Sequence, residues 1–133
     1  MIKVVCGILI WNDKVLIGKR KLTNKVQPGK WEFPGGKMEE GETIDETIKR
    51  EFKEELDIDI QPFHEFRTLN DENIEFTPMT VRLVGGKAKL LEHDEIKFVD
   101  KEEFFKMDLT NLSKEAGRIL FDSYFIFLRK GNE

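Results

Sequence analysis

Apolar and β-branched residues dominate Ile2 to Trp11, and polar residues follow at once in Asn12-Asp13. That pattern predicts a central strand, a turn and a return strand over Lys14 to Lys19. Leu22 to Lys30 is polar and holds Pro28-Gly29, so it reads as a loop, and Trp31 to Phe33 as a short strand entering Pro34-Gly35-Gly36. A helix begins after Thr43, which with Glu46 forms an S/T-x-x-E capping box. Ile44, Ile48, Phe52 and Leu56 then recur every four residues, and the stripe ends near Asp57. Strands are expected over Ile58 to Thr68, Ile74 to Val84, Lys87 to Leu91 and Ile96 to Val99, with Gly85-Gly86 as a hairpin turn. A last helix is expected over Ser113 to Arg129, with Ala116, Ile119, Leu120, Tyr124 and Phe127 on its core face. Strands interleaved with helices imply an α+β fold in which a mixed sheet is packed between helices, an α/β/α sandwich.

The length of 133 residues suits one domain, and no repeat or low-complexity linker divides it, so residues 1–133 are expected to fold as a single unit. A net charge of -4 gives no electrostatic basis for binding long nucleic acid. A small anion remains compatible if a metal ion offsets local repulsion. Cys6 is the sole cysteine, so no intrachain disulfide forms, which agrees with a reducing cytoplasm. Val4 to Trp11 is too short for a membrane span and carries no cleavage-site pattern. The expectation is a cytoplasmic protein without membrane contact, monomeric or homodimeric.

The chemistry concentrates between Gly36 and Ile58. Stepping about 100° per residue from Ile44 puts Glu51 roughly 20° to one side of Ile44 and Glu55 roughly 20° to the other, so both overlap the apolar stripe. Glu54 sits at the edge of that stripe, whereas Asp45, Glu46, Lys49 and Lys53 point away from it. A solvated acidic face should lie opposite the apolar stripe. Carboxylates at i and i+4 repel, and partial burial makes their ionised forms costlier. A bound divalent cation removes both objections, and closely spaced oxygen donors suit Mg2+, with Mn2+ as the alternative. Gly35-Gly36 is expected to form a tight bend that lets a backbone carbonyl approach the ion.

Gly36, Glu42, Arg50, Glu51, Phe52, Glu54, Glu55, Asp57 and Ile58 resemble the Nudix signature G-x5-E-x7-R-E-U-x-E-E-x-G-U, where U is bulky and apolar. Every spacing is kept, and Asp57 in place of glycine is the one departure. That position follows the helix, where a left-handed conformation is common and aspartate tolerates it better than most residues. The resemblance implies that Glu51, Glu54 and Glu55, with the Gly35 carbonyl, hold the metal. Arg50 would orient the glutamates and Glu42 would brace loop and helix. It also implies hydrolysis of a nucleoside diphosphate linked to another group. A nucleoside triphosphate would give the monophosphate and pyrophosphate. A carboxylate from a later loop would activate water, with Glu92 placed first and Glu95 second. His93 reads as a loop residue.

Trp31-Glu32-Phe33-Pro34-Gly35-Gly36-Lys37 resembles the approach to this box in MutT-type enzymes, which sanitise the nucleotide pool. The substrate-binding set implied is Arg20, Glu32, Phe33, Pro34, Gly35 and Asn111, with 8-oxo-dGTP as the nucleotide. An amide both donates and accepts, so Asn111 can match the altered edge of 8-oxoguanine. It equally suits a helix cap, and Arg20 equally suits a surface charge at a strand end. Trp31, Phe33 and Phe76 are either base platforms or core residues. Two alternatives stand beside this reading. One is a Nudix hydrolase for a cytidine triphosphate, a nucleotide sugar, ADP-ribose or a dinucleotide. The other is a silent nucleotide-binding module, which has no need of the intact Arg50-Glu51 and Glu54-Glu55 pairs.

Overall fold

The structure, a computed structural model, describes residues 1–124. Ile2–Trp11 forms β1, whose alternation is masked because both faces are covered: Val5 and Leu9 lie on one side, Cys6 and Ile8 on the other. Asn12 and Asp13 both take positive φ, 53° and 61°, as a two-residue hairpin turn requires, and lead into β2, Lys14–Lys19. Trp31–Glu32 (β3) pairs with β2, and Gly35–Lys37 (β4) pairs antiparallel with β1. After the helix Ile44–Leu56 (α1) come Asp59–Glu65 (β5), Leu69–Asp71 (β6), Ile74–Gly85 (β7) and Glu95–Val99 (β8). The sheet order is β3-β2-β1-β7-β5, with β6 on β7 and β8 on β2. β1 and β7 run parallel from Ile2↔Ile74 to Leu9↔Val81, and the other pairs are antiparallel. The sheet is therefore mixed, as expected.

α1 covers one face by seating Ile48, Phe52 and Leu56 on Val5, Leu9, Leu16, Met79 and Val81. The opposite face is covered by Lys101–Lys106 (α2), Asn111–Ile119 (α3) and a π-helical turn, Leu120–Tyr124. Phe104, Ala116, Leu120 and Phe121 pack there on Cys6, Ile8, Val15, Ile17 and Phe33. Helices thus lie on both faces, the α/β/α arrangement that the pattern implied. Among the described residues, no helix is long and apolar enough to cross a membrane.

Both ends of α1 follow the sequence signals. Thr43 Oγ1 accepts from Glu46 N, and the Glu46 carboxylate accepts from Thr43 N. Asp57 ends the helix in the left-handed conformation, φ 56° and ψ 39°. Its charge, unfavourable at a helix C-terminus, is met by Lys89 at 3.1 Å and Lys53 at 3.5 Å. Lys89 and then Lys53 pull its carboxyl below the usual range.

Other expectations are corrected. Lys87 to Leu91 is not a strand, and Gly85-Gly86 is not a hairpin turn. Lys89 N donates instead to Leu56 O and Leu91 N to Glu55 O, so this segment satisfies carbonyls that the end of α1 leaves free. Gly35 and Gly36 are not a bend but part of β4. The strand expected to Thr68 ends at Glu65, and Leu69–Asp71 turns back through Glu72, at φ 50°, to pair with β7. α2 was not foreseen, since six residues are too few to display a helical period. Asp100 caps it by accepting from Glu103 N at 2.9 Å. The last helix starts at Asn111 rather than Ser113. The core side chains expected at Tyr124 and Phe127, and the continuation to Arg129, lie outside what is described.

Asp57→Gly would relieve the left-handed backbone and remove two lysine pairs, which are worth little at a solvent-exposed site. Its thermal midpoint should equal or exceed that of the parent chain by a few degrees. A fall of similar size would mean that the lysine pairs hold the helix end.

Candidate active site

α1 presents three glutamates in graded exposure. The side chain of Glu55 is 3% exposed, that of Glu51 13% and that of Glu54 49%. The two that overlap the apolar stripe are the buried ones, and Glu54, at its edge, is half exposed. Arg50 gathers the surrounding carboxylates. Its Nε and Nη2 donate to Glu42 at 2.7 and 2.9 Å, and its Nη1 to Glu51 at 2.9 Å and Glu54 at 3.2 Å. Nη2 also donates to the carbonyl of Lys37, so one guanidinium joins β4, the loop before α1 and the helix itself. Planar, bidentate pairing of this kind is strong and directional. The guanidinium holds the Glu42 carboxyl down at about 2, aided by the backbone N–H of Glu39. Glu42, first, and the other glutamates push Arg50 up in turn.

The glycines of β4 are required for close approach. A Cβ on Gly36 would lie 2.4 Å from the Glu51 carboxylate, and one on Gly35 would lie 2.1 Å from Val5 O. The strand can therefore sit between β1 and the helix glutamates only without side chains. Gly35 N donates to Glu55 Oε2 at 3.2 Å. Burial raises the Glu55 carboxyl to about 10, and the charges of Glu51 and Glu32 add to the rise. Burial also raises Glu51, against the opposing effects of its hydrogen bonds with Glu55 and Arg50. Arg50 serves Glu42, Glu51 and Glu54, whereas among the described residues no lysine or arginine pairs with Glu55. Crowded, buried oxygen donors short of positive charge are what a hard divalent cation fits.

Glu55 opens onto a cavity of about 370 Å³. It is lined by the carboxylates of Glu32, Glu55 and Glu92 and by the cationic Arg20 and Lys21, with Asn24. Arg20 donates from Nε to Glu32 Oε1 and from Nη1 to Val26 O, both at 2.8 Å. His93, 5% exposed, also lines the cavity, with Nε2 3.1 Å from Glu32 Oε2. Glu92 lines the cavity. Glu95 instead opens β8 opposite Lys19 and is absent from the lining.

A second cavity, about 580 Å³, holds Asn111 together with Arg67, Asn70, Asp71 and Glu115. Arg20 and Asn111 thus line different cavities. The Phe33 ring is buried, 5.3 Å from the Phe104 ring in a stacked pair, and Phe33 N donates to Ser113 Oγ. Pro34 is buried and its carbonyl accepts from Gly7 N. Trp31 and Phe76 are likewise core residues. The sequence reading missed His93, Lys21 and Asn24 as cavity residues. A lone histidine in an acidic loop carries no periodic signal, and only the fold brings it to Glu32 and Glu55.

Glu55→Gln should stabilise the metal-free protein at pH 8 by at least about 1 kcal/mol, because an amide need not take up a proton on folding, as a carboxyl raised to about 10 must at that pH. Mg2+ is expected to raise the unfolding free energy of the parent chain and to leave that of Glu55→Gln unchanged. Urea denaturation with EDTA and with Mg2+ measures both. Loss of stability with EDTA would contradict this picture of the buried carboxylate.

Comparison with known proteins agrees with this geometry. The NUDIX domain model matches residues 1–121. The 8-oxo-dGTP diphosphatase of Buchnera aphidicola subsp. Schizaphis graminum is 39% identical over 66 residues, covering 50% of each chain. The nucleoside triphosphatase NudI of Enterobacter sp. (strain 638) is 43% identical over 53 residues, covering 40% of this chain and 38% of that one. The chain therefore matches half or less of the length of these two relatives. The MutT protein from Methanosarcina mazei Go1 superposes with a TM-score of 0.74 at 25% identity, covering 91% of this chain and 92% of that one. With its signature helix, mixed sheet and flanking helices in that family's arrangement, this chain belongs to the Nudix family.

Proposed function

We propose that this chain, acting as one domain, hydrolyses a nucleoside triphosphate to the monophosphate and pyrophosphate with the aid of a divalent cation, Mg2+ first and Mn2+ second. The observation that carries this reading is the 370 Å³ cleft, whose lining combines the cationic Arg20 and Lys21 with the buried Glu55 and its neighbours Glu32 and Glu92. A polyphosphate chain matches that mixed lining: its oxygens meet cationic donors, and its charge beside the carboxylates calls for a cation.

Glu51, Glu54 and Glu55, with the Gly35 carbonyl, would hold the ion. When bound, it supplies screening of the phosphate charge and stabilisation of the leaving oxygen. The protein's own groups do the rest. Lys21 contacts phosphate oxygens, and Arg20, anchored on Glu32, fixes the rim of the cleft. Glu92, exposed and on the lining, takes the proton of the attacking water. The water oxygen bonds to phosphorus as the P–O bond to pyrophosphate breaks. Arg50 keeps the glutamates in place from behind.

The nucleoside is assigned to the second cavity, where Asn111 offers an amide beside Arg67 and Asp71. α3 begins next to β3, since Thr110 N donates to Trp31 O. That strand also carries Glu32, which lines the first cavity. This supports a purine such as 8-oxoguanine, whose edge carries donors and acceptors for an amide. A cytidine triphosphate is the second reading, supported by the same polar lining.

The test is release of pyrophosphate from 8-oxo-dGTP, dGTP, CTP and 5-methyl-dCTP with Mg2+ and with EDTA, with ADP-ribose scored by AMP formation. Turnover of a triphosphate that stops in EDTA is expected, with 8-oxo-dGTP preferred. Glu92→Gln should lower kcat by about 10²–10⁴-fold with little change in KM, and Asn111→Ala should weaken the preference between bases. Turnover that persists in EDTA, or that occurs with ADP-ribose alone, would overturn the proposal.

A further inference from the structure

Three side chains at the floor of the cleft are arranged with a regularity that the helix carboxylates do not need. Glu32 and Glu55 each have one carboxylate oxygen fixed by the frame. Glu32 Oε1 accepts from Arg20 Nε at 2.8 Å, and Glu55 Oε2 accepts from Gly35 N at 3.2 Å. Each turns its other oxygen toward His93 Nε2, at 3.1 Å for Glu32 Oε2 and 3.7 Å for Glu55 Oε1. Donor atoms of the three residues all lie within 4.8 Å of one another. Bonds of about 2.0–2.2 Å to one ion place its donors roughly 3–4.4 Å apart, a range that holds both Nε2–oxygen distances.

The imidazole is built into this position. A Cβ on Gly18 would stand 2.7–2.9 Å from Cδ2, Cγ and Nε2 of His93, so β2 must carry glycine at this point for the ring to lie against it. His93 is 5% exposed, and its Nδ1 is buried without a hydrogen-bond partner. That unpartnered nitrogen is common to both neutral tautomers, so its cost does not separate a free ring from a ligating one. Nε2, the atom through which an imidazole can ligate a metal, is the one turned toward both carboxylates. All three residues line the cavity, which leaves open positions for water or a phosphate oxygen.

The geometry points to a second divalent-cation site formed by Glu32, Glu55 and His93, selective for first-row transition-metal ions such as Mn2+, Co2+ or Zn2+ over Mg2+. It shares Glu55 with the carboxylate site on α1 but draws its selectivity from a nitrogen donor that α1 does not supply. Imidazole favours these metals, while Mg2+ prefers oxygen alone. An ion held there would take His93 Nε2 and the free oxygens of Glu32 and Glu55 as its ligands. The Arg20 and Gly35 contacts persist and hold the carboxylates in orientation, the usual task of groups behind a metal ligand.

The test uses the full chain stripped with EDTA and needs no turnover, so its failure is separate from failure of the hydrolase reading. Co2+ binding is followed by visible absorption and Mg2+ binding by calorimetry, in the parent chain and in His93→Gln. The Co2+ affinity is expected to fall at least about tenfold in His93→Gln, while the Mg2+ affinity stays within about twofold. Equal Co2+ affinities, or parallel loss of both metals, would overturn the proposal. Mn2+ spin-echo spectroscopy on the parent chain decides the matter even if that variant does not fold. Coupling to one imidazole nitrogen, retained in His64→Gln, is expected, and its absence would overturn the assignment.

Discussion

The desolvation of Glu55 is the constraint on which the rest of the site depends. A carboxylate on the apolar side of a helix, almost wholly removed from water, beside Glu51 and Glu32 and with no lysine or arginine of its own among the described residues, is unfavourable in its ionised form. A fold optimised for stability alone would place leucine or glutamine there. Keeping glutamate makes sense where a cation from outside supplies the missing charge. The surrounding structure can be understood as what holds that arrangement in place until the cation arrives.

Several elements contribute to holding it. The parallel β1–β7 pair gives α1 a rigid apolar floor, and Ile48, Phe52 and Leu56 lock the helix rotation that aims Glu51 and Glu55 inward. β4 slips between β1 and those glutamates because Gly35 and Gly36 have no side chains. Arg50 then ties β4, the preceding loop and three glutamates into one network. The segment after β7 closes the far side by bonding the last carbonyls of α1, which brings Glu92 and His93 to the cleft. Chain geometry and charge thus meet at one residue.

Much of this was legible in the amino-acid sequence because it rests on local periodicity. The angular positions of Glu51, Glu54 and Glu55 on a 3.6-residue helix already set the buried Glu51 and Glu55 apart from Glu54, and Thr43, Glu46 and Asp57 marked its ends. What was not legible depends on contacts distant in sequence. Lys87 to Leu91 looks like a strand but spends its backbone donors on α1. Phe33 and Trp31 look like base platforms but are needed in the core. Gly35 and Gly36 look like a turn, while their real requirement is the approach of Glu51 and Val5. His93 gives no pattern of its own, and Gly18, the residue that admits its ring, lies far earlier in the chain.

The central claim is that the buried carboxylates await a cation, and its most direct measure is unfolding free energy against pH, with EDTA and with Mg2+. Glu55, ordinarily near 4.5 and raised to about 10 in the fold, contributes stability in its protonated form that is complete below about pH 4.5 and lost as pH rises through about 10. Glu42, lowered to about 2, contributes stability that is complete above about pH 4.5 and lost only as pH falls toward 2, so it is constant where Glu55 varies. Between about pH 6 and 9, stability in EDTA should therefore decline, and Mg2+ should restore it by an increment that grows with pH, because the ion binds the ionised carboxylates. A flat profile in EDTA together with no increment from Mg2+ would contradict the account.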